Sequence, residues 1–222
     1  MHHHQAPTQD QSPTRFAILL LTLLLLATAS SFAPVAIGAL AGNLASSAVL
    51  LAGVFSLYHN RALLVVGMLL LVPAMATRWV FFWLETPAMA PISISFWLLF
   101  SLFNVGALFV YIQRRGTPTN DTIYGGICIY VLMGYCFGAG FALIETLNPG
   151  SLHFEQGAPE GIAALEFKMA YYSFVTLSTL GYGDITPLSP VAQSLAMLEA
   201  VAGPMFVAVF LARLVGVRTA KD

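Results

Sequence analysis

Apolar runs long enough to cross a bilayer recur along this chain, and nothing constrains its fold more tightly. A crossing helix needs about 20 predominantly apolar residues. Runs of that kind extend from Phe16 to Ala33, Val35 to Tyr58, Leu63 to Leu84, Ile92 to Ile112, Thr122 to Leu147 and Val191 to Val217. Polar or turn-forming residues separate them: Pro34, His59-Asn60-Arg61, Glu85, Gln113-Arg114-Arg115 and Asn148-Pro149-Gly150. One further apolar piece, Phe167 to Ser178, is too short to cross, and the stretch before it, Ser151 to Gly161, is polar and turn-rich. The expected fold is therefore an all-α membrane protein with six transmembrane helices and one short insertion between the fifth and sixth. Composition agrees, with 58% hydrophobic and 9% charged residues and a mean hydropathy of +0.81. Soluble domains run at about 45–50% apolar and about 25% charged, so a soluble enzyme and a disordered chain are both excluded. A net charge of −1 offers no basic surface to nucleic acid. Cys128 and Cys136 lie in one apolar run, roughly 12 Å apart along a helix, which is beyond disulfide reach.

Lysine and arginine placement orients the spans. With six crossings both termini share a side, and Arg15, Arg61, Arg114, Arg115, Arg213, Arg218 and Lys221 all fall on it. Only Arg78 and Lys168 fall elsewhere, so the positive-inside rule puts both termini in the cytoplasm of a multi-pass cell-membrane protein. The opposite loops carry Glu85, Glu145, Glu155 and Glu160, and Trp79, Trp83 and Trp97 are expected at the outer headgroup level. The first run could instead be a signal peptide, since Ala27-Thr28-Ala29 resembles a cleavage site, but a polar segment with a single arginine precedes it. Cleavage would leave the orientation unchanged.

The short insertion holds the string Thr176-Leu177-Ser178-Thr179-Leu180-Gly181-Tyr182-Gly183-Asp184. Phe167 to Gly183 reads as a half-crossing helix followed by a non-helical return. Unpaired backbone at membrane depth is tolerated only inside protein or beside water and ions. Glycines at alternate positions permit angles that line successive carbonyl oxygens toward one axis. Thr179 adds a hydroxyl at the inner end of the row. Carbonyl and hydroxyl oxygens suit a hard cation that must also leave again.

In these residues the chain resembles the potassium-channel family, whose filter signature is Thr-Val-Gly-Tyr-Gly. The matching residues are Thr179, Leu180, Gly181, Tyr182 and Gly183, followed by the acidic Asp184. The resemblance extends back over Tyr171-Tyr172-Ser173-Phe174-Val175-Thr176, the aromatic-pair pore helix. It extends forward to Gly203, where the family often has a hinge glycine, and to Ala212-Arg213-Leu214-Val215-Gly216. It implies a potassium-selective channel, a homotetramer in membrane lipid, with potassium ions in the filter and no other cofactor or catalytic site. Leu180 stands where the family has valine, and Tyr171-Tyr172 stand where it has a tryptophan pair. The first change keeps the carbonyl, and the second keeps aromatic packing and hydroxyls that can brace the filter. Residues 1–14 are then a cytoplasmic tail, 15–115 an accessory four-helix region, and 116–222 the pore domain with outer helix, pore helix, filter 179–183 and inner helix. One loop cannot enclose an ion, so four chains must share an axis.

Electrostatics suits that reading. The C-terminal end of the pore helix near Ser178 favours a cation in the cavity, and Glu166 sits at its N-terminal end. Asp184 belongs to the outer mouth, where Glu155 and Glu160 either concentrate cations or are simply solvated loop charges. Two rivals share parts of the pattern. Gly181-Tyr182-Gly183-Asp184 satisfies the Gly-x-Gly-Asp string of intramembrane aspartyl proteases, but that chemistry needs two carboxylates sharing a proton. The remaining aspartates, Asp10, Asp121 and Asp222, are terminal or at a span edge. A weakly selective cation channel is the other alternative, while a multi-loop potassium transporter would need four such loops in one chain.

Gating leaves fewer marks. No charge occurs between Glu85 and Arg114, so the fourth span carries no voltage-sensing array. The short tails are expected to hold no sensory domain, and His2 to His4 read as a tag or tail rather than a metal site. Gly38, Gly42 and the Ser46-Ser47 pair suggest close helix packing in the accessory region, or only an abundance of small residues. Arg78 is expected to pair with Glu85 or to snorkel. On the inner helix, Ala200, Gly203, Val207 and Leu211 share one face toward the pore axis. Gly203-Pro204 is the expected bend, because Pro204 deprives the residue-200 carbonyl of its donor; a static kink at a packing contact is the other reading. Glu199, an acid within the membrane, is expected to bond the foot of the pore helix near Thr176 or Ser178 and to serve as a pH sensor.

Overall fold

The computed structural model of the chain describes residues 14–29, 35–56, 61–84, 86–114 and 120–219. In chain order these form helices α1 (Thr14–Ala29), α2 (Val35–Ser56) and α3 (Arg61–Leu84), then a single 3-10 turn (Pro87–Met89) leading into α4 (Ala90–Arg114). Next come α5 (Asn120–Leu147), strand β1 (Leu152–Phe154), α6 (Ile162–Leu177), strand β2 (Ile185–Pro187) and α7 (Pro190–Thr219). The long helices overrun their apolar runs by a residue or two, because polar ends such as Arg61 and Asn120 continue the hydrogen-bond ladder. The stretches Arg61–Leu84, Ala90–Gln113, Thr122–Leu147 and Pro190–Val215 are each long and apolar enough to cross a bilayer. The chain is a membrane protein. Helix α1 has 16 residues, about 24 Å of rise, and the rest of its predicted run lies outside the described residues, as do His2 to His4 and Glu85.

Helix α5 is the central post, packed by α1, α4, α6 and α7. The main core joins Phe16, Leu19 and Leu23 of α1 with Leu50 of α2, Phe100 and Leu108 of α4, and Ile129 and Leu132 of α5. Lipid tails are as apolar as leucine, so helices in a membrane associate through close packing and hydrogen bonds. Both devices are present. The Tyr135 hydroxyl donates to the Leu23 carbonyl at 2.9 Å, and Trp79 Nε1 donates to Ser47 Oγ at 3.2 Å. A Cβ on Gly53 would lie 2.9 Å from Asn104 Oδ1, so α2 and α4 approach closely there. Cys128 and Cys136 are buried free thiols, as their spacing required.

Two expectations need correcting. Of the three tryptophans assigned to the headgroup belt, only Trp83 is widely exposed, at 75%. Trp97 is buried and meets Tyr135 edge-on at 6.1 Å, because this face of α4 packs against α5. The polar stretch from Ser151 to Gly161 also holds structure: β1 pairs antiparallel with β2 in the register Leu152↔Pro187, His153↔Thr186 and Phe154↔Ile185. Apolar side chains of this ribbon, Leu152, Phe154 and Ile185, join Phe141, Leu165, Met169 and Tyr172 in a second, smaller core.

Candidate functional site

Helix α6 begins at Ile162, five residues before the apolar piece read from the sequence, because Glu166 and Lys168 interrupt an otherwise apolar start. It ends at Leu177, and the chain then returns without regular structure through Ser178 to Asp184. The return is built on the last turn of α6. The amide of Thr179 donates to the Thr176 carbonyl at 2.9 Å, and the amides of Leu180 and Gly181 donate to the Val175 carbonyl at 2.9 and 3.3 Å. Carbonyls left over at a helix C-terminus are thus satisfied by the segment that follows.

Backbone angles in the return alternate. Thr179, Gly181 and Gly183 have φ of 62°, 60° and 82°, whereas Leu180 and Tyr182 between them do not adopt positive φ. Alternation of hand gathers amides on one side of the strand, as in anion-binding nests, and leaves the carbonyls on the other. Among the described residues, none of the carbonyls from Thr179 to Gly183 accepts a hydrogen bond, and this segment is exposed throughout. Glycine adopts positive φ freely. Thr179 does not: a β-branched residue there is strained by about 1–2 kcal/mol, which the amide bonds to α6 must hold.

The outer end of the return is anchored too. The amide of Glu155 donates to the Asp184 carbonyl at 3.0 Å, directly continuing the β1–β2 ribbon. The Tyr182 ring stacks on Tyr171 of α6, with centroids 6.5 Å apart and planes 12° from parallel, and the Tyr171 hydroxyl interacts with the Asp184 carboxylate. Glu145, read from the sequence only as an outer-loop acid, caps the turn after α5. Its two oxygens accept from the amides of Gly150 and Leu152 at 2.7 and 2.9 Å. The available signal was a glutamate just ahead of Asn148-Pro149-Gly150, with Gly150 at φ 86°. Glu155 and Glu160 are exposed.

Glu85 lies outside the described residues, and among those described Arg78 meets a different acid from the one expected. Its guanidinium forks onto Glu166, with Nη1–Oε1 at 3.3 Å and Nη2–Oε2 at 3.0 Å, tying α3 to the second turn of α6. Glu166 therefore answers a cation rather than the helix end alone. Both side chains are largely shielded, so removing one partner strands the other charge. Arg78→Gln is expected to lower stability by about 1–3 kcal/mol, discounted for the partial exposure of Glu166. Adding Glu166→Gln should recover most of the loss, read by thermal melting in detergent; equal melting of all three proteins would show the pair to be energetically idle. At the opposite end, Arg213 of α7 donates to the Ile112 and Gln113 carbonyls and to the Gln113 side chain, binding α7 to the end of α4.

Helix α7 runs beside the lower part of α6. Ala200, Pro204, Val207 and Leu211 are exposed, but Gly203 is not on that open face: it is buried against the end of α6. A Cβ built on Gly203 would stand 2.2 Å from the Leu177 carbonyl oxygen, so no other residue permits this approach. The Tyr130 hydroxyl of α5 reaches the same oxygen at 3.4 Å. Glu199, one turn before Gly203, is fully buried and bonded to Ser173, one turn before Leu177, rather than to Thr176 or Ser178. The shift has a simple cause: with Gly203 level with Leu177, a step of four residues on both helices sets Glu199 beside Ser173. Asp184 engages Tyr171 and Glu199 engages Ser173, so the two acids are not each other's partners.

Residues 129–219 match a family model described as an ion channel. That segment runs from the middle of α5 through α6, the irregular return and the whole of α7. No curated protein and no solved structure matches the chain.

Proposed function

We propose that the chain is a potassium-selective channel, a reading supported by the match of residues 129–219 to the ion-channel family model. In this reading, four copies surround one axis, and the backbone oxygens of Thr179, Leu180, Gly181, Tyr182 and Gly183 replace the hydration shell of the ion. The observation that carries the reading is the return after α6, where φ alternates and the carbonyls stay unpaired among the described residues while the amides of Thr179, Leu180 and Gly181 are tied back to the helix. A rigid frame of this kind holds dipoles rather than charges against the ion, which suits binding that must also be released. A single copy leaves the row open on one side, and α7 leaves Val201, Met205 and Val209 uncovered. A homotetramer in the cell membrane closes the ring. Asp184 then stands at the outer mouth, and Ala200, Pro204, Val207 and Leu211 face the cavity. The six-helix topology with cytoplasmic termini, with α6 as the pore helix, belongs to the same proposal. Residues 15–115 form the accessory region, linked to the pore domain by Arg78 and Arg213.

The experiment is ion flux into liposomes holding the purified protein. Potassium should pass at least about tenfold faster than sodium, a discrimination of about 1.4 kcal/mol. Equal rates would identify a weakly selective cation channel instead, and the absence of any flux would reject conduction.

A further inference from the structure

Three helices meet in one hydrogen-bonded file whose protons can be counted. The Ser173 hydroxyl of α6 lies 2.6 Å from the Gly134 carbonyl of α5, and it also bonds Oε1 of Glu199 on α7. A serine hydroxyl has one proton to give. A carbonyl oxygen only accepts, so the contact with Gly134 uses that proton. If Glu199 were a carboxylate, its contact with Ser173 would then oppose two oxygens with no hydrogen between them. The file closes only when Glu199 itself carries a proton and donates it to Ser173. A second observation agrees. Oε2 of Glu199 is buried and has no hydrogen-bond partner among the described residues. An unpaired oxygen is tolerable in a neutral acid but costly in a buried anion.

We infer that Glu199 is held as a neutral acid that donates to Ser173, which donates to Gly134, and that this file positions the helix carrying the candidate filter. Its flux consequence rests on the channel reading; the protonation state does not. The groups around Glu199 supply no countercharge. Tyr130 faces it from α5 and Tyr172 from α6, β2 contains no ionisable residue, and α7 carries no other between Pro190 and Leu211. A phenol is neutral when protonated and negative when ionised, so neither tyrosine supplies a positive charge to offset an anion here. Ionising Glu199 forces Ser173 to turn its proton away from Gly134, and the link between α6 and α5 opens. One turn further on, the Gly203 contact with Leu177 and the strained Thr179 depend on the same helix. Glu199 is thus a positioning residue for the return, acting through Ser173.

The test combines infrared spectra, melting and flux on the purified full chain. Wild type at neutral pH should show the carbonyl stretch of a protonated carboxylic acid, and Glu199→Gln should lack it. Ser173→Ala should keep the band and move it to higher frequency, because the acid loses its acceptor. Wild type should lose thermal stability and severalfold of its potassium flux on passing from acidic to alkaline conditions. Glu199→Gln, whose amide still donates to Ser173, should hold both nearly constant. Absence of the band from wild type overturns the inference, and so do indistinguishable pH profiles of melting in wild type and Glu199→Gln. A wild type with the band and the melting profile but no potassium flux would leave the file intact and reject the channel reading.

Discussion

Replacing Gly203 with alanine is expected to drive α7 off the end of α6 and to be among the most damaging single-methyl changes in the chain. The added carbon would stand 2.2 Å from the Leu177 carbonyl oxygen, 3.1 Å from its carbon and 3.1 Å from its Cδ1. Two of those atoms are backbone, so no rotamer relieves the clash. The helix must translate, and that would also separate Glu199 from Ser173 one turn away. Overpacking of this kind costs about 3 kcal/mol in each copy of the chain. Melting in detergent should fall sharply, and cross-linking of the proposed tetramer should be lost with it. If Gly203→Ala melts like wild type and conducts, the glycine serves flexibility alone and the close contact carries no weight.

Gly181→Ala should fail in the opposite way, with folding spared and the proposed potassium selectivity lost. A Cβ there meets nothing within 4 Å, so the protomer accommodates it sterically. The penalty is conformational: φ of 60° costs a non-glycine residue about 1–2 kcal/mol, and Thr179 already bears such strain two residues earlier. Relaxing Gly181 to negative φ would turn its peptide plane and break the alternation that keeps the carbonyls together. Potassium flux should drop by at least about tenfold relative to sodium, while melting changes little. Unchanged preference for potassium over sodium would remove Gly181 from the assignment. The two variants separate the roles of the two glycines, one needed for space and the other for backbone hand.

Much of this was legible in the residue order because membranes impose simple rules. Helix positions followed from runs such as Leu63 to Leu84 and Thr122 to Leu147, since every backbone group in hydrocarbon must find its partner within its own helix. The non-helical return was legible for a related reason: Gly181 and Gly183, two apart and flanking Tyr182, suit a backbone that reverses hand. The free thiols followed from spacing alone. What escaped was most of the pairing between elements, although the contact of Glu199 with α6 was expected to within one turn. Arg78 looked like a partner for nearby Glu85, yet it reaches Glu166 across 88 positions. Glu145 looked like a loose loop acid and proved to be a cap. Gly203 read either as a hinge or as a packing contact, and only the structure shows what it touches. Apolar pattern reports which residues avoid water, and in a lipid solvent nearly all faces do, so it is silent about which face meets which helix. The sequence by itself determined where the long apolar helices and the short insertion lie, and the backbone freedom of the return. Only the tertiary structure decided that α6 and α7 lie in step, Ser173 with Glu199 and Leu177 with Gly203, because that register is set by where a missing side chain lets two helices touch.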